Sequence, residues 1–113
     1  MSNARDLSKV PSGDAFNVTS DGDVGIGESN PATRLEIKDA TPILRLTDSF
    51  NGSQVSGHDI AKISFFSDDL SGIGAHETGF ILNESEQGGT TLSGALVFGT
   101  AEYNTAATER MRI

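Results

Sequence analysis

Two histidines and three small acidic groups are where this chain could do chemistry. Asp21-Gly22-Asp23 alternates oxygen ligands with a glycine, as the start of a calcium loop does. Such a loop needs further carboxylates and a distal bidentate Glu, but Val24 and Ile26 stand where ligands would follow. The preferred reading of these residues is a tight hairpin turn. His58 and His76 each neighbour a carboxylate, Asp59 and Glu77. On a threefold axis one such His per chain could bind a metal ion, although hydrogen-bonded loop histidines are the plainer expectation. Asp68-Asp69, or Glu84 with Glu86, raise the acid–base pair of a glycoside hydrolase, which needs two carboxyls facing each other across a cleft. Adjacent Asp68 and Asp69 would point to opposite faces of a strand, and Glu84 and Glu86 sit beside a Gly88-Gly89 tip.

Other reaction classes find no footing. There is no Cys, hence no thiol nucleophile, thiolate metal site or disulfide. No Ser lies in a Gly-x-Ser-x-Gly elbow. Residues 22–27 lack the spacing and following helix of a dinucleotide loop. Asn17-Val18-Thr19, Asn51-Gly52-Ser53 and Asn83-Glu84-Ser85 match the glycosylation pattern, as chance allows in a chain rich in Ser, Thr and Asn. The expectation is a protein that is not an enzyme and carries no cofactor.

The elements that must position these residues are strands. No segment keeps a 3.6-residue apolar period, and short alternating runs are separated by Gly, Asn, Asp and Ser. Strands are expected at 16–19 and 24–26 around the Asp21-Gly22 turn, then at 34–38 with Leu35 and Ile37 on one side. A strand at 43–47 would turn Leu44 and Leu46 inward and Arg45 outward, with Pro42 at its start or edge. Further strands are expected at 60–67, 78–84, 91–100 (the longest apolar one) and 109–113. Loops fall at 49–59, where Phe50 and Val55 could anchor, and at 68–77, 85–90 and 101–108. Runs 60–67 and 91–100 carry apolar residues on both faces. One face would fill the chain's own core and the other would meet another subunit; a monomeric sandwich with fully covered central strands is the alternative.

At 113 residues with six Phe, one Tyr and no Trp, a lone domain would be marginal, and oligomerisation is the natural remedy. A formal net charge of −8, with its few basic residues scattered, argues against nucleic acid and anionic membranes as partners. No run is long enough for a transmembrane helix. Residues 1–14 are polar and are read as a flexible leader or tag remnant, Ser2-Asn3-Ala4 in particular. Residues 15–40 are read as a Gly-rich hairpin joint with a linking strand, and 41–113 as a β-rich module cut short at its end.

Asp23-Val24-Gly25-Ile26-Gly27, Asn30-Pro31-Ala32 and Arg34-Leu35-Glu36-Ile37 together resemble a linker of tail fibres and related appendages of tailed bacteriophages. The likeness continues through Thr41-Pro42-Ile43-Leu44-Arg45-Leu46-Thr47-Asp48, Ile63-Ser64-Phe65-Phe66-Ser67, Ala95-Leu96-Val97-Phe98-Gly99-Thr100 and Thr108-Glu109-Arg110-Met111-Arg112-Ile113, covering about residues 16 to 113. The closing strand also matches Phe16-Asn17-Val18 in pattern, as though another copy of the hairpin should follow. The resemblance implies a non-enzymatic, elongated, β-rich homotrimer that carries or forms a host-recognition surface.

The resulting expectation is an all-β module of short antiparallel strands in a sandwich or prism, self-associated as a trimer on a virion and joined to neighbouring fibre modules. Asp21, Gly22, Gly25 and Gly27 would form the structural joint. Phe50, Asn51, His58, Asp69, His76, Glu77 and Tyr103 would be displayed for contact with a host cell-surface glycan. Two other readings stand beside this one: a monomeric carbohydrate-binding β-sandwich and the stalk of a bacterial trimeric adhesin.

Overall fold

The computed structural model describes residues 15–89 and 91–113; the expected leader at 1–14 lies outside the described residues. The chain is all-β, with no helix among the described residues, and carries two open sheets of three and four strands. It divides into two compact units, Met1–Arg45 and Leu46–Ile113.

In the first unit β1 (Asn17–Val18) and β2 (Val24–Ile26) pair antiparallel around the expected turn. Gly22 sits at φ +86°, and its N–H donates to the Thr19 carbonyl at 3.0 Å. The Thr19 hydroxyl accepts from the Asp23 N–H at 3.0 Å. β3 (Leu35–Ile37) then joins β2 in parallel. The Val24 N–H donates to the Arg34 carbonyl and the Lys38 N–H to the Ile26 carbonyl, each at 2.8 Å.

The second unit is an antiparallel meander in chain order: β4 (Asp59–Ser67), β5 (His76–Ser85), β6 (Gly94–Thr100) and β7 (Thr108–Arg112). β5, with ten residues, is the longest strand, not the run at 91–100. Pairing along β6 begins only at Gly94, opposite Ser85. Beyond it the Glu86 N–H still donates to the Ser93 carbonyl at 3.0 Å, and the Ser85 hydroxyl donates to the Gln87 carbonyl at 2.8 Å.

The expected strand at 43–47 is absent, and Leu44 and Leu46 do not turn inward. Residues 42–50 run without helix, strand, turn or bend, and Ile43, Leu44 and Leu46 are exposed. No backbone N–H or carbonyl of 40–47 is hydrogen-bonded among the described residues. A strand needs a neighbouring edge to satisfy its backbone groups, and none lies beside it here. Phe50 and Val55 are likewise exposed.

Candidate functional site

Register separates the two faces of the four-stranded sheet, since side chains alternate along each strand. Lys62 opposes Leu82, which opposes Val97, which opposes Arg112, so these four share one face. Val97 is 1% exposed and forms the small core with Leu82 and Ala95, Phe80 packing against it. Long charged side chains flank this core. The Lys62 ammonium lies 4.7 Å from the centre of the Phe80 ring, a cation–π contact. The same ammonium pairs with Glu77 at 2.9 Å, and the Ser64 hydroxyl also donates to Glu77. Those two donors, Ser64 first, hold the Glu77 carboxyl below its ordinary value.

Arg112 gathers three carboxylates: Glu109 at 2.7 Å, Glu86 at 2.8 Å and Glu84 at 3.0 Å. It grips Glu109 with both Nε and Nη2, a bidentate fork that depresses the Glu109 carboxyl. The Glu84 and Glu86 considered as an acid–base pair thus converge on one guanidinium.

The other face is apolar and open. Ile63 opposes Ile81, which opposes Phe98, which opposes Met111. Ala61, Phe65 and Leu96 share their alternation, and Ile113 exchanges backbone hydrogen bonds with Leu96 at 2.8 Å. Ile63, Phe65, Leu96, Met111 and Ile113 are all exposed. The adjacent Phe66 falls on the charged face, opposite Glu77, where a register shift interrupts the ladder. Both rings are therefore exposed, on opposite sides.

The three-stranded sheet is built alike. Val18, Val24 and Leu35 lie in line, as do Ile26 and Ile37, with Phe16 two residues before Val18. Their shared face is exposed at Phe16, Val18, Ile26 and Leu35. The opposite side, at Gly25, is covered by residues 28–31. The Glu28 carbonyl accepts from the Asn17 amide at 3.3 Å, and Pro31 is buried.

All four joint residues take part in this unit. The Asp21 carbonyl accepts from Arg34 Nη1 at 2.5 Å, and Arg34 also pairs with Asp23 at 3.0 Å. A Cβ on Gly25 would collide with the Glu28 carbonyl oxygen, and one on Gly27 (φ +78°) with that of Lys38. Lys38 Nζ clasps Glu28 at 2.5 Å, which lowers the Glu28 carboxyl. Asp21 and Asp23 thus anchor an arginine. Among the described residues no three His, Asp or Glu are grouped to hold a metal ion.

The loop residues expected for surface recognition divide between opposite ends of the four-stranded sheet. Phe50, Asn51 and His58 sit at the end where β4 starts. There His58 Nε2 lies 2.9 Å from Asp48, not Asp59, and its ring packs on Phe50 with centroids 5.5 Å apart. The Phe50 N–H donates to Asp48 at 2.9 Å, and this bond, ahead of that from His58, keeps the Asp48 carboxyl low. Asp69, His76, Glu77 and Tyr103 sit at the other end. His76 and Glu77 open β5 instead of lying in a loop. His76 Nδ1 is 2.6 Å from the Gly74 carbonyl, and the Glu77 carbonyl accepts from the Ala107 N–H at 3.0 Å. Ser71 donates twice to Asp69 and depresses it. Tyr103 is 98% exposed.

Sequence reasoning missed Asp48 and Arg112. Asp48-Ser49-Phe50 carries the signal of an Asp capping the backbone two residues on; no local pattern announces the carboxylates that meet Arg112. Compared with known proteins, the chain matches no family model, no curated protein and no solved structure.

Proposed function

We propose that this chain is a non-enzymatic structural module of a phage tail fibre or similar virion appendage, assembled as a homotrimer. The observation that carries the assembly is the open apolar face through Ile63, Phe65, Ile81, Leu96, Phe98 and Met111. Given the exposures of Ile63, Phe65, Leu96, Met111 and Ile113, this face offers about 500 Å² of apolar surface, near the upper end for one patch on a monomer. Three such faces turned towards one axis would hide roughly 1,500 Å² in all, about 500 Å² for each of the three subunit contacts, which is less than the roughly 1,600 Å² of a standard two-chain interface. The charged face, with its solvated ion pairs, then faces outward.

The sequence likeness of residues 16–113 to tail-fibre segments supports the virion setting, where the module acts outside the cell. The joint around Gly25 and Gly27 would connect successive modules. The end of the sheet that carries the exposed Tyr103 also carries Asp69, His76 and Glu77, residue types that glycan contact uses. Sedimentation equilibrium tests the assembly. Three chains of 11.8 kDa are expected; a single folded chain at millimolar concentration would overturn it.

A further inference from the structure

The segment between the two sheets has the makings of a strand and no edge to join. Pro42 lacks an N–H, which suits a strand's first residue. Beyond it Leu44 and Leu46 alternate with Ile43 and Arg45. Ile43 is 79% exposed, Leu44 63% and Leu46 48%. No backbone group of 40–47 is hydrogen-bonded among the described residues. Arg45 alone among the described Lys and Arg residues pairs with no carboxylate.

The sheets offer few edges of adequate length. β1 and β3 are two and three residues long. The outer edge of β4 is interrupted by register shifts near both ends and carries Lys62, a like charge for Arg45; such bulges and lysines guard edges against added strands. The outer edge of β7 has one shift, near Arg110, and continues through Met111 and Arg112 to Ile113. Beside it Glu84, Glu86 and Glu109 share the single guanidinium of Arg112, leaving two negative charges in excess. A strand laid on this edge with its leucines beside Met111 would extend the open apolar face. Arg45 would then fall on the acidic side.

We propose that residues 42–47 form a β-strand only between subunits, adding to the outer edge of β7 in a second copy of this chain, with Leu44 and Leu46 continuing the apolar face and Arg45 joining the Glu84–Glu86–Glu109 cluster. The inference rests on the self-association reading and gives it a geometry. Each copy donates one strand and accepts one, a head-to-tail contact that forms a ring where the rotation between copies closes. Main-chain hydrogen bonds supply affinity, and the alternating side chains set the register.

The test uses the absence of cysteine from the chain. Chains carrying Leu44→Cys or Leu46→Cys are mixed with chains carrying Met111→Cys, refolded together and oxidised gently. Disulfide-linked pairs that need both substitutions are expected. Hydrogen exchange of the wild-type trimer should show the amides of 43–47 slowed about a hundredfold or more, as for a hydrogen-bonded strand. Arg45→Glu should weaken assembly about tenfold, and Arg45→Lys should preserve it.

A chain of trimeric mass whose 43–47 amides exchange freely, with no mixed disulfide, overturns the strand while leaving the self-association reading intact. Linkage within single chains carrying both cysteines overturns the inter-subunit form. Monomeric mass at all concentrations overturns both.

Discussion

Phe65 and Phe66 make a matched pair for testing which face assembles. They are neighbours in β4, 52% and 61% exposed, and the alternation places them on opposite faces of the sheet. A Phe side chain presents roughly 200 Å², so about half of it, about 100 Å², is hidden when the open face of Phe65 is covered. At about 25 cal/mol per Å² that burial stabilises the assembly by about 2.5 kcal/mol per chain. A trimer holds three copies, giving about 7.5 kcal/mol. The midpoint concentration of a monomer–trimer equilibrium follows the square root of its dissociation constant, so it should rise by roughly 500-fold on losing all three rings. Phe65→Gln should therefore leave a folded protein, checked by circular dichroism, whose midpoint in sedimentation equilibrium rises by that order. Phe66→Gln should leave the midpoint within about threefold, a shift of no more than about 1.3 kcal/mol for the whole trimer. Equal shifts for the two variants, or a larger one for Phe66, would refute the assignment of faces and with it the inward orientation of Ile63 and Met111.

Gly25→Val or Gly27→Val forces the new side chain into a backbone carbonyl, at Glu28 or Lys38. Each should cost more than about 1 kcal/mol in the first unit and cut trimer yield, whereas exposed Asn51→Ala should leave yield unchanged. Val97→Ala removes two methyl groups from the most buried apolar site; a loss of about 2 kcal/mol is expected, read as a fall in melting temperature of roughly 10 °C. Glu77 and Glu109 are held below the ordinary Glu value of 4.5 by Ser64 with Lys62 and by Arg112. Their contribution is thus complete above that value and is lost as pH falls through their lower folded values. Melting temperature should be level from neutrality to about pH 5 and fall below it, and Glu77→Gln should flatten the fall.

The strands that could be read from sequence were those whose partners follow directly along the chain. Arg34 to Lys38 alternates cleanly, Ile60 to Ser67 alternates as far as Phe65, and each finds a neighbouring strand in its own unit. The run at 43–47 alternates as well, but a strand exists only where an edge meets it, and alternation carries no information about edges. The tight turn at Asp21-Gly22 was legible because Gly22 adopts the φ that the turn demands. The parallel pairing of β2 with β3 was not, because residues 27–34 carry no crossover helix to announce it. At the candidate site, both faces of β4 and β6 read as apolar. Which of them stays open depends on Lys62 and Arg112 meeting Leu82 and Val97 across the sheet, a matter of register between strands. His58 was assigned to its chain neighbour Asp59; the loop instead brings back Asp48, ten residues earlier.

The distribution of charge across the four-stranded sheet separates an assembly surface from a merely incomplete core. Lys62, Glu77, Glu84, Glu109 and Arg112 take part in ion pairs on the Leu82–Val97 face. On the opposite face Ala61, Ile63, Phe65, Ile81, Asn83, Leu96, Phe98 and Met111 form an uncharged stretch, and Arg110, whose Nε donates to the Thr100 hydroxyl at 3.3 Å, places that face's charge at its β7 margin. Leu82, Ala95 and Val97 give the sheet one small core, on the charged face. Moving the charged face inward would strip solvent from at least five ionised groups, whose pairs are favourable mainly because water still reaches them. Moving the apolar stretch inward desolvates far less charge, and of its polar groups on the central strands the Asn83 amide donates to the Ala95 carbonyl at 3.1 Å and the Thr100 hydroxyl accepts from Arg110 at 3.3 Å. That difference favours covering the sheet from its apolar side, and it is why we propose that copies of this chain meet there.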